Sequence, residues 1–295
     1  MNTSRKTFGS ILVILDGIFW GSMGLFVRTM GSRGFSSVQT TAVRLTIAAL
    51  FFLIIQLIRK PSDLRIRLRD IPLFLALGVI SILFFTICYF SAINLLSLST
   101  AAILLYTSPI WVMLMSVAFF REKFTARKLF SLLLAFGGCV LVSGISGGNL
   151  STAGLLFGLG SGIGYALYSI FGTVALRRYS PLTVTTWAFL IAALGIQFIC
   201  PPAELIALFR AAPSPAGTLL FAVLMALLTA VTPYLLYTLG LARIEASRAA
   251  ILATVEPMVA TLFGTLVFSE PLTPSSVLGI LLILAAIVLL NLGQT

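Results

Sequence analysis

The chain has 295 residues, of which 59% are hydrophobic and 9% charged, and its mean hydropathy is +1.13. Soluble domains are about 45–50% apolar and about 25% charged, so this composition excludes a water-soluble globular protein and indicates a polytopic membrane protein. The absence of histidine removes the commonest general base and metal ligand, and the net charge of +11 lies on short links between apolar segments, which argues against a nucleic-acid partner.

Met1–Thr7 reads as a short basic tail. Phe8–Met30 is too long for the apolar region of a signal peptide and reads as a first spanning helix. Nine further apolar segments follow at Ser36–Ile58, Ile71–Asn94, Ser97–Phe120, Lys128–Ile145, Ser151–Leu176, Pro181–Pro201, Pro215–Ala242, Ala246–Phe268 and Pro274–Leu292. The expectation is an all-α protein of ten transmembrane helices whose links are too short to hold a soluble domain. Cys88, Cys139 and Cys200 sit in or at the end of apolar segments, which is not a disulfide framework. Neither a metal site nor a cofactor is expected.

Lysine and arginine set the orientation. With the N-terminus in the cytoplasm, 15 of them fall on cytoplasmic links and 3 (Arg28, Arg33, Arg210) on the other side, while Arg44 lies within a segment. This positive-inside bias places both termini in the cytoplasm and the chain in the inner (plasma) membrane.

Ser99–Thr125 aligns without a gap on Ser247–Thr273, 148 positions later, with ten identities in 27 positions. They include Pro109/Pro257, Phe120/Phe268 and Glu122/Glu270. Tyr89 meets Tyr237 at the same shift, and Trp20 meets Tyr165 at a shift of 145, as Thr40-Thr41 meets Thr185-Thr186. The chain therefore reads as a duplication, residues 1–147 and 148–295, with five helices in each half. An odd number of helices per half makes the second half enter the membrane inverted. Inverted repeats carrying interrupted helices in matching positions are an architecture of alternating-access carriers, with the substrate between the halves.

The two five-helix halves and the stretch EPMVATLFGTLVFSEPLT in the ninth segment resemble the drug/metabolite transporter superfamily, EamA-type. Within it the chain is similar to the YddG amino-acid exporters. That resemblance implies export of aromatic and other neutral amino acids. The first half departs from the signature, since Thr107-Ser108-Pro109 stands where the second half has Val255-Glu256-Pro257. The two halves therefore contribute unequally to any site.

Pro109 and Pro257 each remove a helical N–H and loosen the carbonyls of Leu105 and Ala253. In lipid such carbonyls are tolerated where protein or a wet cavity satisfies them, so the prolines are candidate hinges lining a central cavity, or else static kinks. Glu256 lies near the middle of the ninth segment, where a charge costs about 2.5–3.5 kcal/mol or more. A substrate ammonium, a proton or hydrogen bonds from a neighbouring helix would offset that cost. Asp16 and Arg44 form a candidate proton site or ion pair, with snorkelling toward the membrane edge the alternative for Arg44. Trp20, Tyr89, Tyr106, Tyr165, Tyr168, Tyr234 and Tyr237 are candidate substrate-binding residues. Mid-membrane Tyr and Trp need partners for their polar ends, which favours an interior face, although packing explains any one of them equally well. Trp187 suits the interface, and Trp111 suits either lipid or cavity. The Gly17/Gly21, Gly154/Gly158 and Gly160/Gly164 rows allow close helix contact.

The reading is a secondary carrier that exports small amphipathic metabolites, aromatic or neutral amino acids foremost, and works as a monomer in the bilayer. A cationic-drug or purine exporter of the same superfamily is the alternative. A nucleotide sugar would want several buried Arg or Lys. No nucleotide-binding motif supplies ATP, no polar cluster supports an enzyme, and no charged ring or carbonyl filter supports a channel.

Overall fold

The structure, a computed structural model, describes residues 3–144 and 151–292. The start of the tail at residues 1–2, the expected end of the fifth segment at Ile145, the boundary between the halves at 147/148 and the last three residues lie outside the described part.

The first half begins with α1 (Thr3–Gly21) and α2 (Met23–Ser32), one span interrupted at Ser22, followed by α3 (Ser37–Arg59). Two short turns precede the third span. That span is α4 (Ile71–Leu75), a π-helical stretch over Ala76–Leu83, and α5 (Phe84–Leu95). The fourth is α6 (Leu98–Leu105) and α7 (Ser108–Phe120), and the fifth is α8 (Ala126–Ser143). The second half runs α9 (Thr152–Ala175), α10 (Pro181–Ile196) and α11 (Pro202–Ala211), then α12 (Pro215–Ala226), a π-helical stretch over Leu227–Val231, and α13 (Thr232–Leu241). It closes with α14 (Ala246–Leu252), α15 (Val255–Phe268) and α16 (Pro274–Asn291). Among the described residues, nine helices are long and apolar enough to cross a membrane, and α10 is a shorter apolar tenth. The chain is an all-helical, ten-helix membrane protein.

The helices start where polar caps permit. Ser36 and Gln39 form a reciprocal capping box on α3, and Ser97, Thr125, Ser151, Ser180 and Thr273 each accept an N–H at the start of α6, α8, α9, α10 and α16. The expected seventh segment, Pro181–Pro201, ends early at Ile196. After five intervening residues Pro202 starts α11, a helix the sequence reading did not anticipate.

The duplication is repeated in backbone detail. Arg121 (φ 54°) and Ser269 (φ 55°), matched at the 148-residue shift, are the two non-glycine residues of positive φ among those described. They end α7 and α15, and the next N–H, of Glu122 and Glu270, closes on the carbonyls of Ser116 and Gly264. The two π-helical stretches end at Leu83 and Val231, again 148 apart.

Packing crosses between the halves. α1 lies against α13 and α15, while its repeat partner α9 lies against α5, α6 and α7. α3 packs on α10, and α8 packs on α16, where Gly138 and Gly279 meet so closely that a Cβ on either would lie 2.7 Å from the other's carbonyl oxygen. Large apolar side chains such as Leu133, Leu194, Leu266 and Leu281 point outward. Hydrocarbon solvates them without cost, whereas water would not.

Candidate functional site

The spans that carry Pro109 and Pro257 are both broken, as those prolines imply. α6 gives way to α7 at Tyr106–Thr107, and α14 to α15 at Ala253–Thr254. The local donors regroup. Thr107 Oγ1 donates to the Leu104 carbonyl at 2.6 Å, and Thr254 Oγ1 to that of Ile251 at 2.6 Å. The Ala253 carbonyl, which Pro257 cannot serve, accepts the N–H of Glu256 at 3.0 Å.

A glycine lies against each break. A Cβ on Gly162 would come within 2.6 Å of Thr107 Oγ1 and 2.8 Å of the Leu104 carbonyl oxygen. One on Gly17 would come within 2.3 Å of Val255 and 3.3 Å of the Ala253 carbonyl oxygen. Gly17 and Gly162 are matched at the 145-residue shift, so α1 and α9 use the same residue to approach the same feature. The Gly17/Gly21 row is thus an α1–α15 contact, and Gly154/Gly158 faces Leu96 and Leu104.

The aromatic residues gather between these breaks. Trp20 of α1 has Tyr234 at 5.0 Å (82° between planes), Tyr237 at 5.6 Å and Tyr165 at 5.9 Å. Tyr168 stands edge-on to Tyr234 at 5.2 Å. Phe85 lies 5.7 Å from Tyr165 and stacks on Tyr89 at 6.0 Å, which ties Tyr89 to the group. Two phenols are committed to the fold: Tyr168 to Thr238 at 2.9 Å and Tyr237 to Ser169 at 2.5 Å. The Tyr165 hydroxyl is buried without a partner among the described residues. The cavity bounded by Trp20, Ser81, Tyr165, Tyr168, Tyr234 and Tyr237 holds only about 10 Å³, room for one water at most. The ring box is nearly closed here.

Charges lie beside this box. Asp16, one helical turn before Trp20, is fully buried, and neither carboxylate oxygen has a partner among the described residues. Glu256, in the first turn of α15, is half-buried, and its main chain faces Gly17 and Gly21 of α1. Tyr106 itself caps α6 at the break. Arg44 is 5% exposed and does not snorkel. It donates to the Thr229 carbonyl at 3.1 Å and to Met23 Sδ at 3.5 Å, while its Nε has no partner among the described residues. No ion pair joins Arg44 to Asp16 among the described residues, whose closest ion pairs all lie elsewhere. Pro233 explains this choice. It lacks the N–H that would serve Thr229 in an α-helix, and Arg44 fills the gap. The three charges are one-sided in the duplication, since Ser161, Phe189 and Ser108 stand at the positions matching Asp16, Arg44 and Glu256.

The remaining tryptophans are satisfied locally. Trp187 Nε1 donates to the Leu64 carbonyl at 3.1 Å, at the end of the bundle, and Trp111 Nε1 to Thr107 Oγ1 at 3.1 Å. Thr229, Thr238 and Ser169 are site residues that sequence reasoning missed. Pro233, four residues after Thr229, was the available signal for the first.

The model of the EamA-like transporter family matches this chain twice, over residues 7–144 and 152–292. An uncharacterized transporter of Archaeoglobus fulgidus is 27% identical over 94% of this chain and 96% of its own length. The uncharacterized transporter YwfM of Bacillus subtilis is 25% identical over 96% of this chain and 93% of its own. The uncharacterized inner membrane transporter YicL of Salmonella typhimurium is 25% identical over all of this chain and 98% of its own. A protein crystal structure superposes with a TM-score of 0.76 at 20% identity, covering 98% of this chain and 96% of that one, and so shares its fold. With the family model spanning nearly every helix, the chain belongs to the EamA-like transporter family.

Proposed function

We propose that this membrane transporter is a secondary carrier that exports small amphipathic metabolites, with aromatic and other neutral amino acids as its best-fitting substrates. The observation that carries the reading is the meeting of two broken helices, matched in the duplication, beside an aromatic box and a half-buried carboxylate. Glu256 receives the substrate ammonium. The free Nε of Arg44 is a donor for a carboxylate. Trp20, Tyr165 and Tyr234 take the apolar side chain, and the unpartnered Tyr165 hydroxyl supplies a further polar contact.

The two halves, 1–147 and 148–295, are inverted relative to each other, because each brings five spanning helices. The cavity opens alternately to the two faces as the halves rock about Pro109 and Pro257. The Lys/Arg bias puts both termini in the cytoplasm and the chain in the inner membrane, an assignment that agrees with the name of the YicL relative. One chain supplies every element of the site, so the unit is a monomer. Asp16 and Glu256 are the candidate proton carriers of the coupled step.

A second reading has its own support. Two carboxylates, Asp16 and Glu256, without hydrogen-bonded partners among the described residues, and one buried arginine suit a cationic drug or a purine as well as a zwitterion. Counterflow separates the two. Proteoliposomes are loaded with unlabelled phenylalanine, methionine, threonine, a purine or a quaternary ammonium dye, and labelled phenylalanine entry is followed. Stimulation by the neutral amino acids alone supports the exporter reading. Stimulation by the dye or purine alone, with the matching label, replaces it.

A further inference from the structure

The two ends of the molecule hold the same glutamate in different ways. Glu122, in the turn after α7, accepts hydrogen bonds from the main-chain N–H of Ala246 at 3.1 Å and from the Ser247 hydroxyl, at the start of α14. Lys128 Nζ bridges Glu122 at 3.2 Å, Ser247 Oγ at 2.9 Å and Glu245 at 2.6 Å. The side chains of Glu122 and Lys128 are only 8% and 11% exposed. α7 is packed against α14 along this seam, which closes that end of the bundle.

Glu270 occupies the matching turn after α15, with the same positive-φ residue before it and the same main-chain closure. Its matching partners are the N–H of Leu98 and the hydroxyl of Ser99, at the start of α6. The sequence keeps that serine: Ser99 and Ser247 are one of the ten identities. Yet Glu270 does not reach α6. It pairs with Arg28 at 2.6 Å, with the two side chains 47% and 50% exposed, and α15 does not pack on α6 as α14 packs on α7. Leu98 is exposed, and the Ser99 hydroxyl has no partner among the described residues.

We infer that Glu122 and Glu270 are alternating latches: in a second conformation Glu270 leaves Arg28 and binds the Leu98 N–H and the Ser99 hydroxyl, as Glu122 lets go of Ala246 and Ser247. The inference deepens the alternating-access reading and rests on it. Duplicated halves reach two mirror-related conformations by exchanging roles, so a contact made by one half in this conformation has its counterpart made by the other half in the next. Buried, charge-assisted hydrogen bonds hold one end shut, while an exposed ion pair holds the other latch weakly and leaves it ready to move. Lys128 matches Ser276, so the Glu122 latch carries a cation that the Glu270 latch lacks. That difference makes the conformation described here the more populated one.

The test measures spin-label distances in the full chain, with its three buried cysteines replaced. One label pair, at Lys123 and Arg243, reports the Glu122 end, and another, at Leu95 and Leu272, reports the Glu270 end. The key comparison is Arg28→Gln with Glu270→Gln, since both break the same ion pair. The latch predicts opposite effects. Arg28→Gln frees Glu270 and raises the population with a short Leu95–Leu272 distance severalfold. Glu270→Gln and Ser99→Ala lower it. Glu122→Gln and the milder Ser247→Ala raise the population with a long Lys123–Arg243 distance, by about tenfold for Glu122→Gln. If two populations exist but Arg28→Gln and Glu270→Gln shift them alike, the latch is wrong and alternating access stands. A single population in every variant, with or without substrate, overturns both.

Discussion

Arg44, buried in the second span, donates its guanidinium N–H to the Thr229 carbonyl 3.1 Å away, the carbonyl that Pro233 has no N–H to serve. A membrane-embedded cation is thereby held by a helix distortion in the other half of the chain. Hydrogen bonds to charged groups contribute about 1.5–3 kcal/mol. Arg44→Met should therefore lower the thermal midpoint in detergent by several degrees. In a Pro233→Ala background, where residue 233 regains its N–H, the loss should shrink by half or more. Equal losses in the two backgrounds would mean that Arg44 is held by something else.

The glycines at the breaks give a graded pair. A Cβ at position 162 meets a main-chain oxygen at 2.8 Å, which cannot move without shifting the break, whereas at position 17 its nearest neighbour is a valine side chain. Overpacking costs about 1–3 kcal/mol. Gly162→Ala should sit at the upper end of that range and Gly17→Ala below it, as read from midpoints of thermal unfolding. The reverse order would mean that the two breaks are packed differently from the geometry described.

The tyrosines separate packing from function. Tyr237→Phe leaves Ser169 without its partner and Tyr168→Phe removes a bond to Thr238, each costing about 0.5–1.5 kcal/mol of stability. Tyr165→Phe removes a hydroxyl that has no partner among the described residues, so stability should hold or rise while exchange of amino acids falls. A lowered midpoint for Tyr165→Phe with full exchange would assign that hydroxyl to the fold.

Asp16 is buried with neither oxygen partnered among the described residues, so no bond between them is lost in Asp16→Asn. Its midpoint should not drop below that of the wild type, while exchange in proteoliposomes should fall at least tenfold. A drop of many degrees would reveal a structural partner for Asp16.

Much of this arrangement was legible in the sequence. Pro109 and Pro257 located the breaks because a missing N–H acts within one turn, and those breaks fell within four residues of the prolines. Mid-membrane tyrosines want partners for their hydroxyls on an interior face, and Tyr168 and Tyr237 found them in Thr238 and Ser169, beside the rings of Trp20 and Tyr234. What was not legible depended on distant contacts. The π-helical stretch at Ala76–Leu83 follows Pro72, but a proline in the first turn of a helix calls for no bulge, and the extra residue is a matter of how α4 and α5 seat against α9 and α10. The Ser22 interruption follows from a serine hydroxyl turning back to the Phe19 carbonyl at 2.6 Å, a bond that serines inside helices make only in some settings. Arg44 looked free to reach Asp16 or the membrane edge, and a carbonyl 185 residues away decided otherwise. α11 was hidden because it lies beyond the expected end of the seventh segment at Pro201 and mixes Glu204 and Arg210 with apolar residues.

Glu256 is the residue on which the proposed transport turns, and one comparison tests it most directly: counterflow of labelled phenylalanine into proteoliposomes loaded with unlabelled phenylalanine, for the wild type and for Glu256→Gln at equal protein content. The prediction is robust trans-stimulated entry for the wild type and at least a tenfold loss for Glu256→Gln, with the thermal midpoint preserved. Equal entry with the two proteins would remove Glu256 from the substrate path, and no trans-stimulation by any neutral amino acid in the wild type would contradict the amino-acid exporter itself.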